Sequence, residues 1–378
     1  MLIGVPKEIK NNEFRVGLTP ASVREITAHG HTVFVEKNAG IGIGAMDRDY
    51  RDAGATIIDT AAGVFSRSEM IVKVKEPQDE ELKLLRQDQI LFTFLHLAPD
   101  PAQTKALIKS GSVCIAYETV TAPGGGLPLL APMSKVAGRL AVQAGAHHLE
   151  QPQGGLGKLP GGVPGVQPAK VVIIGAGMVG THAAHIAVGM GADVYVLDKN
   201  PLALEKHWQV FKDTTNTIYS NKETLEHHVV SADLVIGAVL VAGAKAPKLV
   251  SAAMVKKMQT GAVLVDVAID QGGCFETSQA TTHAEPTFSV DGVIHYCVAN
   301  MPGSVPRTSA YALNNATLPF VLAIADKGYQ QALLDDQHLR HGLNIIHGKV
   351  TCKEVADSLG YTHTPATEAL GKSGQGTK

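Results

Sequence analysis

Short apolar runs rich in β-branched residues punctuate the first third of the chain: LIGVP, TVFVE, ATIID, MIVKV, ILFTFL and VCIAY. Their length and content predict buried strands. Helical patterns lie between them. Thr19-Pro20 and Asp100-Pro101 each place a capping side chain before a proline suited to the first helical position. Strands alternating with helices imply right-handed crossovers and a mostly parallel sheet. Pro and Gly then dominate residues 121–132, which marks a boundary. SKVAGRLAVQAGAHHLE, from Ser134, reads as a long helix, and GGLGKLPGGVPGVQP after it is too rich in Gly and Pro for regular structure. The alternation then restarts with KVVIIG, ADVYVLD, NTIYS, ADLVIGAV, AVLVDVAI and IHYCVA. Residues 308–327 are helical in pattern despite Pro319 and are expected to cross back to the first domain. The expected fold class is α/β, with two Rossmann-like doubly wound parallel-sheet domains and the active site in the cleft between them. The expected domains are residues 1–128 plus 306–378, discontinuous and substrate-binding, and residues 129–305, nucleotide-binding.

Length and composition sharpen this picture. A chain of 378 residues exceeds the size at which one core stops growing, so two domains are expected. A net charge of −2 with no Lys/Arg run gives no footprint for nucleic acid or an anionic membrane. No apolar run approaches the ~18 residues that span a bilayer. The start, MLIGVPKEIK, lacks the apolar segment of a signal peptide. Cys114, Cys274, Cys297 and Cys352 form no CxxC pair, which fits reduced thiols in a cytoplasmic protein.

The strongest local signal is KVVIIGAGMVGTHAAHIAVGMGADVYVLD. An apolar strand runs into Gly175, Gly177 and Gly180, a helix pattern follows, and a second strand ends at Asp198, 18 residues beyond Gly180. In a dinucleotide site the first glycine permits the tight turn and the second lets the backbone approach a pyrophosphate. The third lets helix and strand pack closely. The helix N-terminus faces the phosphates with its positive end. Asp198 would accept hydrogen bonds from the adenosine ribose and repel a 2′-phosphate, which favours NAD.

In open parallel sheets ligands bind outside the carboxyl ends of the strands. By that rule the second half delivers Asp198, Ser220, Val239, Leu240, Asp270, Asn300 and Met301, and the first half delivers Lys75 and His96. Arg15 lies in the loop NNEFRVG. Each has a plain alternative: a strand-end histidine that bonds a backbone carbonyl, a solvated Lys–Glu pair in KVKEP, a surface arginine. Asp270, before Gln271-Gly272-Gly273, has little structural reason to be acidic. Asp266, inside the same strand pattern, has no evident role. The pairs His147-His148 and His227-His228 cannot share a helix face, and His182 with His185 lacks a third ligand, so no metal site is expected.

KEIKNNEFRVGLTP, VKVKEP, LFTFLHLA, PLLAPMSKVAGRLA, VVIIGAGMVG, VDVAIDQGGCFETS and HYCVANMPGSVPRTS together resemble the NAD-dependent L-alanine dehydrogenases. The resemblance covers most of residues 1–320. It implies reversible oxidative deamination of L-alanine to pyruvate and ammonia. By it Arg15 and Lys75 hold the substrate, His96 is the general acid/base, and Asp270 helps to activate water or ammonia. It also implies contacts to NAD from Ser134, Met178, Val179, Asp198, Ser220, Val239, Leu240, from Val267, Ala268, Ile269 and Asp270, and from Val298, Ala299, Asn300 and Met301. The resemblance implies a homohexamer, the usual assembly of the family. Gln279 departs from a commonly basic position near the cofactor. Ala323 and Lys327 stand where some members have an acid and a histidine linked to metal. The nearest rival readings are the soluble nucleotide-binding part of a proton-translocating transhydrogenase and a non-catalytic NAD-sensing protein.

Overall fold

The structure is a computed structural model that describes residues 1–239 and 246–371. Contacts divide the chain into two compact units, Met1–Met133 with Gly303–Lys378, and Ser134–Pro302. The expected borders, 128/129 and 305/306, fall beside these divisions. The first division lies in the opening turn of the helix Ala131–His148, and the second lies in the 3-10 turn Met301–Ser304.

The first unit opens with six parallel strands: β1 (Leu2–Val5), β2 (Thr32–Glu36), β3 (Thr56–Ile58), β4 (Met70–Val72), β5 (Ile90–Thr93) and β6 (Val113–Ala116). The second unit holds β7 (Lys170–Ile174), β8 (Asp193–Asp198), β9 (Asn216–Tyr219), β10 (Leu234–Gly237), β11 (Val263–Asp266), β12 (Thr287–Val290) and β13 (Val293–Tyr296). The chain then returns to the first unit with β14 (Leu343–Ile346) and β15 (Lys349–Val350). Among the described residues the sheet orders are β15-β14-β6-β5-β4-β1-β2-β3 and β12-β13-β11-β10-β7-β8-β9. Six parallel strands in each follow the pattern 3-2-1-4-5-6, the order of a doubly wound dinucleotide fold. The order reverses between β1 and β4 in one sheet and between β7 and β10 in the other.

β4, β5, β6, β10 and β11 are buried along their whole length, as strands covered on both faces must be. Their near-continuous apolar sequence follows from that. In the second unit Val172, Ile174, Val235 and Leu264 pack in one cluster with Leu225 and Val229 of the helix Lys222–Val230. Each such side chain contributes about 1.5–3 kcal/mol by leaving water.

Thr19 and Asp100 cap their helices as expected, accepting from the backbone N–H of Ser22 and Gln103. The helix Pro306–Lys327 is fastened to the first unit by Asn314, which is 1% exposed. Its amide oxygen accepts from Thr19 N at 2.8 Å and Ser22 Oγ at 2.9 Å, and its nitrogen donates to the Gly17 carbonyl.

The strand ends differ from the expected ones. ILFTFL leaves the ladder at Thr93, MIVKV at Val72, and AVLVDVAI at Asp266. Val74, Phe94 and Leu95 nevertheless stay buried, because apolar character reports burial rather than ladder pairing. β12, β14 and β15, which the sequence did not suggest, add antiparallel edges. No helix among the described residues is long and apolar enough to cross a membrane.

Candidate active site

The glycine turn after β7 has the tight geometry expected at its first and third glycines. Gly175 has φ +112°, and a Cβ there would come within 2.8 Å of the Ala238 carbonyl oxygen. A Cβ on Gly180 would fall 1.8 Å from the Gly175 carbonyl oxygen, so only hydrogen allows the helix to approach this closely. At Gly177 a Cβ would meet nothing within 4 Å. Packing therefore does not explain that glycine, and its backbone stands open to close approach from outside. Gly177 is the N-cap of the helix Met178–Gly189, whose first N–H groups need outside partners. Met178 is exposed and Val179 is buried beneath it. These features fit a bound dinucleotide.

Asp198 ends β8 and has a structural task that its place in the sequence concealed. One oxygen accepts from Ala176 N at 2.7 Å and the other from Asn200 N at 2.8 Å, so the carboxylate fastens the glycine turn to the next strand exit. Its remaining lone pairs leave acceptor capacity for a ribose. Ser220 is buried just past β9 and donates its N–H to the Asp198 carbonyl. Val239 follows β10 at the turn that faces Gly175, and Leu240 lies outside the described residues. Ser134 is half-buried in the helix Ala131–His148.

Asp266 now has an explanation. It is fully buried at the end of β11, and its carboxylate gathers the loop that follows. It accepts from Ala268 N at 3.1 Å, Cys274 N at 2.9 Å, Phe275 N at 3.4 Å and Ser278 Oγ at 2.5 Å. Gly273, with φ +75°, lets the chain turn back, since a Cβ there would meet the carboxylate at 2.5 Å. Lys248 adds a clamp from the other side, donating to the carbonyls of Gly272 and Phe275. Burial raises the pKa of Asp266 against the pull of the Ser278 and backbone hydrogen bonds. Burial, with the Asp266 charge adding, pushes the Cys297 thiol up to about 12. Asp270 is held exposed on this loop in the 3-10 turn Ile269–Gln271, so it is not at the strand end as expected. Val267 is half-buried, and Ala268 and Ile269 are buried. Beyond β13, Val298 and Met301 are buried, Ala299 is exposed, and Asn300 takes φ +58°. Gln279 is exposed.

In the first unit the three predicted residues leave neighbouring strands, and each is organised by an acid the sequence reading missed. Arg15 is 2% exposed, which excludes the surface alternative. Glu13 grips it with two charge-assisted bonds, Nε to Oε1 at 2.7 Å and Nη2 to Oε2 at 2.5 Å. Lys75 is half-buried, with its N–H 3.4 Å from Glu8 Oε1 and its carbonyl accepting from Thr93 Oγ1 at 3.0 Å. The buried lysine of VKVKEP is Lys73, which lies between Glu8 at 3.1 Å and Glu81 at 2.6 Å. Burial alone would lower its pKa, but the two carboxylates overcome that and raise it. Burial holds the Glu8 carboxyl above its usual range against the pull of Lys73.

His96 lies three residues past β5 in a left-handed conformation, φ +50°. Its ring is exposed and stacks on Phe94 at 5.8 Å. Glu118, in the 3-10 turn Tyr117–Thr119, accepts its backbone N–H at 2.6 Å. The only signal for Glu8 and Glu118 was an acid close to a strand end, and for Glu13 an acid in the loop of Arg15, and surface acids share both. Among the described residues no group of three or more His, Cys, Asp or Glu could hold a metal ion.

Two family models match this chain. The alanine dehydrogenase/PNT N-terminal domain matches residues 4–137 and the alanine dehydrogenase/PNT C-terminal domain matches residues 141–353. The chain belongs to the alanine dehydrogenase/PNT family. Within that family it is 57% identical to an alanine dehydrogenase of Halomonas elongata over 98% of this chain and 100% of that one. It is 55% identical to an alanine dehydrogenase of Methanococcus maripaludis with the same coverage. A solved L-alanine dehydrogenase superposes with a TM-score of 0.93 at 53% identity, covering 95% of this chain and 99% of the other. A transhydrogenase from Sinorhizobium meliloti, at 24% identity and a TM-score of 0.82, shares the fold. The alanine dehydrogenase/PNT alternatives are thus unequal, and the transhydrogenase reading is not favoured.

Proposed function

We propose that the protein catalyses reversible NAD-dependent oxidative deamination of L-alanine to pyruvate and ammonia. The observation that carries this reading is a glycine turn whose open position is Gly177, in a chain with end-to-end relatives of that name above 50% identity. Residues 129–305 are assigned the dinucleotide. The turn Gly175, Gly177, Met178, Val179 and Gly180 would take its pyrophosphate and Asp198 its ribose. Ser134, Ser220, Val239, Leu240 and residues 267–270 and 298–301 would contact the rest. Residues 1–128 and 306–378 are assigned the substrate.

A bound NAD would supply the acceptor for the hydride from the alanine Cα. The remaining chemistry is proton movement and charge compensation by this chain. Lys75 and Arg15 would hold the substrate carboxylate and polarise the carbonyl oxygen, with Glu13 keeping the guanidinium oriented. His96 takes a proton from the substrate amine and later moves protons as water adds to the imine and ammonia departs, a task suited to an imidazole near neutral pH. Asp270 would help to activate that water. A cytoplasmic homohexamer is the expected assembly.

The direct test is to incubate the protein with NAD and a panel of amino acids and follow NADH absorbance. Turnover with alanine is expected. A rate appearing only with a second nucleotide would mean transhydrogenation, and NADH binding without any turnover would mean a sensor. His96→Ala should cost roughly 10²–10⁴-fold in kcat with NADH binding intact by calorimetry.

A further inference from the structure

His96 is anchored by the chain that leaves the neighbouring strand β6. β5 and β6 pair in register through Thr93 and Ala116, and both chains then leave the sheet side by side. Glu118 leaves with β6, and its side chain is only 16% exposed. Oε1 lies 2.6 Å from His96 N, and both oxygens lie 3.2 Å from Leu95 N. Oε1 is also 3.9 Å from His96 Nδ1. A non-glycine residue at φ +50° persists only where its surroundings fix it. Here two backbone N–H groups converging on one carboxylate fix it. Phe94 fixes the other degree of freedom, with its ring plane 2° from the imidazole plane.

The geometry points to Glu118 as the positioning residue for His96, holding the imidazole by its backbone and by its Nδ1 face so that Nε2 is the nitrogen that exchanges protons with substrate. This rests on His96 being the acid/base. A carboxylate behind one imidazole nitrogen fixes the tautomer, stabilises the imidazolium that forms when Nε2 is protonated, and leaves the other nitrogen for chemistry. A separation of 3.9 Å is loose for a hydrogen bond, and such contacts tighten when substrate binds. Other titratable groups bear on this corner. Tyr117, edge-on to Phe94 at 5.1 Å, is kept neutral because burial pushes its phenol well above its usual value. Lys75 is tied to β5 through the Thr93 hydroxyl. Among the described residues Glu118 is the anion within ion-pair distance of the His96 ring.

Glu118→Gln and Glu118→Asp separate the two contributions. Gln keeps an acceptor for the backbone N–H groups but removes the charge; Asp keeps the charge but shortens the reach. Glu118→Gln should lower kcat by about 10²-fold and leave the Kd for NADH unchanged. It should also move the acidic limb of the kcat/KM profile for alanine to lower pH by about one unit. Glu118→Asp should lose kcat while its acidic limb stays near the wild-type position. A Glu118→Gln enzyme with wild-type kcat and an unmoved limb overturns the proposal. So does a Glu118→Asp enzyme whose limb moves as far as that of Glu118→Gln. His96→Ala measured alongside keeps the two readings apart. If it is fully active, the His96 assignment fails; if it is inactive while Glu118→Gln is normal, only the role of Glu118 fails.

Discussion

The two units share a strand order but hold their working loops by opposite electrostatic means. In the first, charge is buried against charge: Glu13 with Arg15, and Glu8 and Glu81 around Lys73. In the second, the buried carboxylate Asp266 is satisfied by neutral N–H and O–H donors. A dinucleotide site needs a loop that offers backbone to a phosphate, and a carboxylate that gathers N–H groups builds such a loop without adding a cation. A site for a small carboxylate needs fixed cations, and a cation leaves water cheaply only when anions accompany it. The sheet order is common to both units, and the loops that leave it are tied by different kinds of partner.

This contrast can be broken at several points. The largest effect is expected for Lys73→Met, which strands Glu8 and Glu81. Loss of one partner from a buried ion cluster costs about 3–5 kcal/mol, read by urea denaturation. The additional exchange of both acids for glutamine should recover part of it, and no recovery would mean that the triad acts through packing alone. Asp266→Asn comes next, at about 1–3 kcal/mol, because an amide nitrogen must face donors. Its Kd for NADH should weaken, and an unchanged Kd would show that the loop holds its shape without the charge.

Glu76 gives a smaller effect, about 1 kcal/mol, and a pH signature. Burial would raise its pKa, but the Lys75 charge and the Lys10 hydrogen bond bring it below 4.5. Its stabilisation is therefore present above pH 4.5 and lost as pH falls through the depressed value. Glu76→Gln should match wild type in acid and fall behind at neutral pH. Asp266, with its pKa raised, has the opposite sign: its contribution is full below the ordinary aspartate value and declines as pH rises through the raised one. The smallest stability change, about half a kcal/mol, is expected for Gly177→Ala, since its Cβ meets no atom. Its NADH affinity should nevertheless drop at least about tenfold, and unaltered affinity would detach that glycine from the cofactor.

Most of the strands β1–β11 and β13 were legible because buried parallel strands are apolar on both faces, and the partly exposed edge strands β3 and β9 because they carry β-branched residues. Their ends were not. Phe94 and Leu95 look like a continuation of β5 although they only remain buried. The edge strand β12 and the hairpin of β14 and β15, which sits beside β6, are short and partly polar, and nothing in LNII or KV separates them from a loop. Among the site residues, Gly175, Gly177 and Gly180 were readable because glycine at that spacing has few other reasons. Glu8, Glu13, Glu118 and Asp266 were not, because a buried acid and a surface acid are the same letter and only the fold supplies the partner.

The route of the chain also sets a timetable. The second unit is one uninterrupted stretch, whereas the first is completed only by Asn314 and by β14, which pairs with β6. During synthesis from the N-terminus, the second unit can finish while its companion still waits, with β6 an unpaired edge, until residues beyond 343 emerge from the ribosome. A nascent chain stalled before that point should resist protease over residues 134–302 and be cut within 1–133.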